Sequence, residues 1–240
     1  MRRLFTLVPF ALIAGLALPA YAGTITIDGM GEVRAAPDMA TITSGVTTQG
    51  ATAREALDAN SKAMADLVAA LKESGIEARD IQTSGFSVNP DYVYSDERDA
   101  NGYTRPPKIN GYQVMNTVTV AVRELETLGT ILDKSVTVGA NTINGVTFSV
   151  ADPSDLYNEA RKSAFADARE KAELYAEVAG GRLEELKSIS ESQGFNPPQP
   201  MPMYAMRADA AASSVPVEAG ELSFSINVTV QWELEEDATN

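Results

Sequence analysis

The chain has 240 residues, 44% of them hydrophobic, and its 19 basic and 33 acidic residues give a net charge of −14. That length builds one large domain or two small ones, and the acidic balance opposes binding to nucleic acid or to anionic lipid. Cysteine and histidine are both absent, which removes disulfides, thiol catalysis, the commonest zinc ligand and the commonest general base.

Met1–Ala22 has the three parts of a secretory signal peptide: Arg2 and Arg3, the apolar run Leu4–Leu18, and the small-x-small site Ala20-Tyr21-Ala22. Cleavage is expected after Ala22. The apolar run is shorter than the ~20 residues of a bilayer span. No later stretch reaches that length, so no transmembrane helix is expected in the mature chain. Losing the two arginines takes the charge to about −16. The expected location is the periplasm.

Ile25, Ile27 and Val33 alternate with polar residues as in a strand. Gly29-Met30-Gly31 interrupts it, which predicts a bulge or a close backbone approach. A dinucleotide fingerprint would need a third glycine where Arg34 stands. After the Pro37-Asp38 turn, Ala40–Thr48 reads as a second strand. Thr52 and Glu55 form a capping box that opens a helix with Ala56, Ala63, Met64, Leu67 and Leu71 on one face, ending at Gly75. Ile81–Val88 is a strand, and Asn89–Lys108 is expected as a loop. Tyr112 to Val122 alternates as a half-buried strand, with Asn116 its one polar residue on the apolar side. Leu125, Leu128, Ile131 and Leu132 make a shorter helix that stops near Gly139.

Ile143, Val146, Phe148 and Val150 read as a buried strand. Asp152-Pro153-Ser154-Asp155 then starts a long helix that stops at Gly180-Gly181. Along it Ala160, Ala164, Ala168, Ala172 and Ala176 form a ridge of small side chains suited to close packing. Leu183–Ser192 is a weaker strand. Residues 193–220 form a proline-, methionine- and alanine-containing loop without periodicity, with 197–212 the expected contact segment for another subunit. The last strand alternates Leu222, Phe224, Ile226, Val228, Val230, Trp232 and Leu234 against polar residues, and 235–240 is an acidic tail. The pattern is α+β: one domain over residues 23–234, with a mainly antiparallel sheet and three helices packed on one face.

Three stretches in this order resemble the SIMPL-domain family of bacterial periplasmic proteins. Gly29-Met30-Gly31-Glu32-Val33 with Pro37-Asp38-Met39-Ala40 is similar to its opening. Leu128-Gly129 and Gly139-Ala140-Asn141-Thr142-Ile143-Asn144-Gly145-Val146-Thr147-Phe148 are similar to its middle signature. Glu159–Ala172 through Gly180-Gly181 is similar to its long helix. The family's members include immunogenic periplasmic proteins and an oxidative-stress defence protein. The resemblance implies an α+β fold, a periplasmic location and, as in some members, ring-like homo-oligomers. It supplies no catalytic residue and no cofactor.

Three constellations offer candidate chemistry. Glu97, Asp99, Asn101 and Gly102 have the spacing of half a calcium loop, but Lys108 occupies the place of the closing glutamate. Met201, Met203 and Met206 are thioethers that suit copper(I), or pack as an apolar loop. Asp167 and Lys171 form an i,i+4 pair that reads as ordinary surface. Tandem acids such as Glu184-Glu185 and Glu235-Glu236 do not define a hydrolase cleft. The expectation is a non-enzymatic, self-assembling periplasmic protein linked to envelope or oxidative stress tolerance. The alternative is a copper(I)-binding protein using the methionine loop.

Overall fold

The computed structural model describes residues 23–94, 96–98, 100–192, 199–201 and 215–236. The signal segment, Met203, Met206 and most of the methionine loop lie outside the described residues. Eight strands and three α-helices follow one another in chain order. They are β1 (Gly23–Ala35), β2 (Met39–Gly50), α1 (Ala53–Glu73), β3 (Ile81–Val93), β4 (Lys108–Val122), α2 (Leu128–Thr137), β5 (Thr142–Ser149), α3 (Ser154–Val178), β6 (Gly181–Ser192), β7 (Gln199–Met201) and β8 (Glu221–Glu236). Short 3-10 turns at Ala78–Asp80 and Leu125–Thr127 precede β3 and α2.

The α+β expectation holds, and the strands divide into two four-stranded sheets. One has the order β1-β8-β6, with β7 also on β8; the other has the order β3-β4-β2-β5. The second is antiparallel at every step. Contacts gather the described residues into two compact units, one drawn from 23–31, 161–192 and 226–236 and the other from the described residues of 32–160 with 199–201 and 215–225.

In the larger unit, β2 and β4 place Ala40, Ile42 and Val46 opposite Val122, Val120 and Asn116. This face is buried under α1 and α2 through Met64, Leu67, Leu71, Leu128, Ile131 and Leu132. The helix α1 starts as its capping residues require: Thr52 Oγ1 accepts the Glu55 amide at 3.2 Å. It ends with Gly75 at φ +90°, where the Ile76 and Gly75 amides close back on Leu71 O and Lys72 O.

In the smaller unit, Ala164, Ala168 and Ala172 of α3 pack on Val228, Val230 and Trp232 of β8 and on Ile25 and Ile27 of β1. The close approach expected at Gly29 is present. A Cβ there would fall 2.1 Å from Ala164 O and 2.6 Å from Ala168 Cβ. Small residues on both elements let a helix backbone lie against a strand backbone. The helix stops at Gly180, φ +75°.

Three expectations are corrected. Asn89–Val93 is not loop but the end of β3, paired to Gln113–Lys108 of β4. Pro90 is accommodated because β3 is an edge strand, where a missing amide donor is tolerated. Likewise β5 is not a buried strand: it pairs only with β2, Ile143 is exposed, and Gly145 (φ +63°) bulges between Val146 and Asn144. The last strand continues to Glu236, beyond the expected end at Leu234, and the exposed Glu235 pairs with the Arg182 guanidinium.

Candidate functional site

The signature residues hold the fold together at specific places. Asp38 and Asn141 grip opposite ends of the edge strand β5. Asp38 Oδ1 accepts the Ala151 amide at 2.8 Å, and the Asp38 amide donates to Ser149 O at 3.2 Å. At the other end, Asn141 Oδ1 accepts the Thr47 amide at 2.7 Å while its Nδ2 donates to Thr47 O at 2.8 Å. A carboxamide has one acceptor and one donor group side by side, so it imitates a strand residue and prolongs the β2–β5 ladder. Sequence reading missed both clips, because their partners lie about a hundred residues away.

Asp167 and Lys171 are more than an i,i+4 surface pair. Asp167 Oδ2 accepts the Met30 amide at 2.8 Å as well as Lys171 Nζ at 2.6 Å, and Lys171 also reaches Asp28 O at 3.3 Å. Thr229 Oγ1 donates to Asp28 Oδ1 at 2.6 Å. The Gly29-Met30-Gly31 segment is thus fastened to α3 on both sides of its closest approach. Lys171 and the Met30 amide hold the Asp167 carboxyl below its ordinary range.

Of the three chemical constellations, the half calcium loop sits at the tip of the β3–β4 hairpin. Glu97 there pairs with Arg105 at 3.2 Å, Gly102 has φ +85°, and Asp99 lies outside the described residues. The Met201 backbone pairs with Glu221 in β7–β8, and the methionine trio as a ligand set falls outside the described residues. Among the described residues no cluster of three acidic side chains could hold a metal ion, and no helix is long and apolar enough to cross a membrane.

Clefts among the described residues are open to solvent. One of 150 Å³ lies at the end of α1, lined by Gly75, Glu77, Asp80, Arg123 and Glu124. Asp80, with a side chain 8% exposed, takes two hydrogen bonds from Arg123, at 3.1 and 2.8 Å. That contact pulls the carboxyl down and pushes the guanidinium up, so neither titrates near neutrality. Every described carboxyl that shifts (Glu32, Asp80, Asp152, Asp167, Glu191 and Glu235) shifts downward, whereas a general acid at neutral pH needs the opposite.

Among the described residues, one exposed apolar feature is the far end of the β3–β4 hairpin, and the Leu174, Tyr175 and Val178 stretch of α3 is another. β2 stops at Gly50, opposite Tyr112. Beyond it, Asp91, Tyr92 and Val93 pair only with Gly111, Ile109 and Lys108, and Arg98 bridges to Thr104. This two-stranded arm exposes Tyr92, Val93, Tyr94, Tyr103 and Ile109, with Tyr94 at 78% and Tyr103 at 73%. Val93, Pro106 and Ile109 line a cleft of 320 Å³ beside Glu97, Arg105 and Lys108.

Comparison with known proteins gives a consistent picture. The "26 kDa periplasmic immunogenic protein" of Brucella melitensis is 40% identical over 237 residues, 93% of each chain, and the protein of that name in Brucella abortus matches equally. The "Uncharacterized protein YggE" of Escherichia coli K12 is 29% identical over 213 residues, covering 88% of this chain and 83% of its own. The SIMPL family model, described as a protein of unknown function (DUF541), matches residues 25–232. With the family model matched over residues 25–232 and a relative 40% identical over 93% of each chain, this chain belongs to the SIMPL family.

Proposed function

We propose that this is an exported periplasmic protein, not an enzyme, that acts by assembling with copies of itself in support of envelope or oxidative stress tolerance. The location rests on the signal-like Met1–Ala22 and on the printed name of the Brucella relatives. The observation that carries the assembly is the two-stranded arm. A hairpin with two sheet neighbours missing gains little by exposing three tyrosines, a valine and an isoleucine to water. Tyrosine is favoured at interfaces because it offers a large rigid face with a polar tip.

A second copy is the fitting occupant on charge. The chain carries −14, so two copies repel over most of their surface. Between Asp91 and Lys108 four acids stand among Arg98, Arg105 and Lys108, leaving this segment close to neutral. Two such arms bring unlike charges together as readily as like ones, and the tyrosines supply the contact area.

The test is the mass of the mature protein at micromolar concentration, beside a variant whose residues 94–107 are replaced by a tight Asn-Gly turn. The expected result is an assembled parent and a monomeric variant of unchanged far-ultraviolet dichroism. A monomeric parent overturns the assembly, and a variant of parental size removes the arm from it. Peroxide survival of a deletion strain, rescued by the parent and not by the variant, tests the stress role.

A further inference from the structure

Three buried side-chain oxygens have no hydrogen-bonding partner among the described residues: Ser44 Oγ, Asn60 Oδ1 and Asn116 Oδ1. The strand register brings them to one place beneath α1. Ser44 lies between Ile42 and Val46 on the helix-covered face of β2, and Asn116 stands directly opposite Val46 on β4. Asn60 descends from α1 and donates through Nδ2 to Val46 O at 2.8 Å and to Val114 O at 3.3 Å. Ser44 and Asn60 are fully buried.

The orientation of Asn60 is settled by its two carbonyl partners, which only an NH₂ group can satisfy. Its Oδ1 is therefore an acceptor facing the seam. Ser44 offers a hydroxyl that bonds neither carboxamide, and Asn116 offers a second acceptor. Ile42, Val46, Met64, Leu67 and Val118 of the same helix-covered core have apolar side chains that supply no donor. Leaving buried acceptors unmatched is unfavourable, and native cores answer such groups with ordered solvent.

We propose that an internal water occupies this seam, donating to Asn60 Oδ1 and Asn116 Oδ1 and accepting from the Ser44 hydroxyl. Water provides two donors and an acceptor at one point, as the three groups require. A monovalent cation is disfavoured: the ligands are neutral, and its charge would be buried without a partner. The water completes a polar bridge from α1 to both β2 and β4. It fixes where the helix rests along the sheet, which a smooth valine and leucine surface would leave free to slide.

Oxygen-17 magnetic relaxation dispersion on the whole chain counts long-lived waters and tests the site. Ser44→Ala and Asn116→Val are each expected to lower the count by one. Each lowers the urea midpoint, and the double variant falls by less than the sum, although Ser44 Oγ and Asn116 Oδ1 share no direct hydrogen bond. A raised midpoint for Ser44→Ala with an unchanged count overturns the proposal, since deleting a dry orphan hydroxyl relieves strain. A midpoint that follows the choice of sodium or potassium assigns the seam to a cation and also overturns it. Should either variant fail to fold, crystal density of the parent decides: a solvent peak between the three oxygens sustains the site, and a direct Asn60–Asn116 carboxamide contact refutes it.

Discussion

Replacing Gly29 by alanine tests the packing of α3 on β1. The new Cβ would lie 2.1 Å from Ala164 O, 2.6 Å from Ala168 Cβ and 2.7 Å from Ala168 N. Atoms in contact sit roughly 3.5–4.0 Å apart, so helix and strand must part by roughly 1.5 Å. Two of the obstacles are backbone atoms, so no side chain can rotate out of the way. Overpacking of this kind costs about 1–3 kcal/mol. Parting the elements also stretches the Met30 amide to Asp167 contact, a charged hydrogen bond worth about 1.5–3 kcal/mol when fully lost. Gly29 is not among the positive-φ glycines, and alanine lowers unfolded-chain entropy, which returns about 0.4–1 kcal/mol. The net expectation is a loss of about 2–4 kcal/mol, or roughly 1–2 M in urea midpoint at an ordinary slope. Trp232, the single tryptophan, is 5% exposed and packs on the same helix, so its fluorescence reports this unit. Gly23→Ala in the same strand is the control, because its Cβ meets Leu234 Cβ at an ordinary 3.7 Å. Equal midpoints for the two variants would refute the close-approach argument.

Acid should destabilise the fold through Asp80 and Asp167. Both carboxyls are depressed in the folded state, so their contribution is complete above the unfolded value of about 3.9 and is lost as pH falls through the lower folded values. Asp80→Asn should flatten the stability profile below about pH 4 and leave its slope above pH 5 unchanged, as read from urea midpoints across pH. Asp38→Ala and Asn141→Ala should each cost about 1–2 kcal/mol, add when combined because they grip opposite ends of β5, and speed amide exchange in β5 but not in α1. Protection of β5 equal to that of the parent would show that the clips are incidental. Replacing Met201, Met203 and Met206 with leucine should leave copper(I) titration unchanged if the loop is packing material; loss of a tight site would restore the metal reading.

The local rules carried far along this chain. The Thr52 cap, the glycine stops at Gly75, Gly139 and Gly180, the alanine ridge and the alternation of β8 all depend on neighbours within a few residues. They read correctly because capping, helical period and pleat are local geometry. Asn89–Val93 reads as loop for the same reason: whether a strand tolerates Pro90 depends on whether it has a neighbour on that side. Asn60 passed unnoticed because one polar residue on a helix face looks like noise until two strand carbonyls are found beneath it.

The amino-acid order alone indicated the three helices and most of the strands, the apolar face of the last strand, and that cysteine and histidine chemistry is closed to this chain. Only the tertiary structure decided that the strands form two sheets, that β3 and β5 are edges, that Asp38 and Asn141 clip β5, and that an aromatic arm projects past the end of β2. The first set follows from interactions within a turn or a pleat. The second rests on pairings between residues some twenty to two hundred positions apart, which local periodicity does not encode.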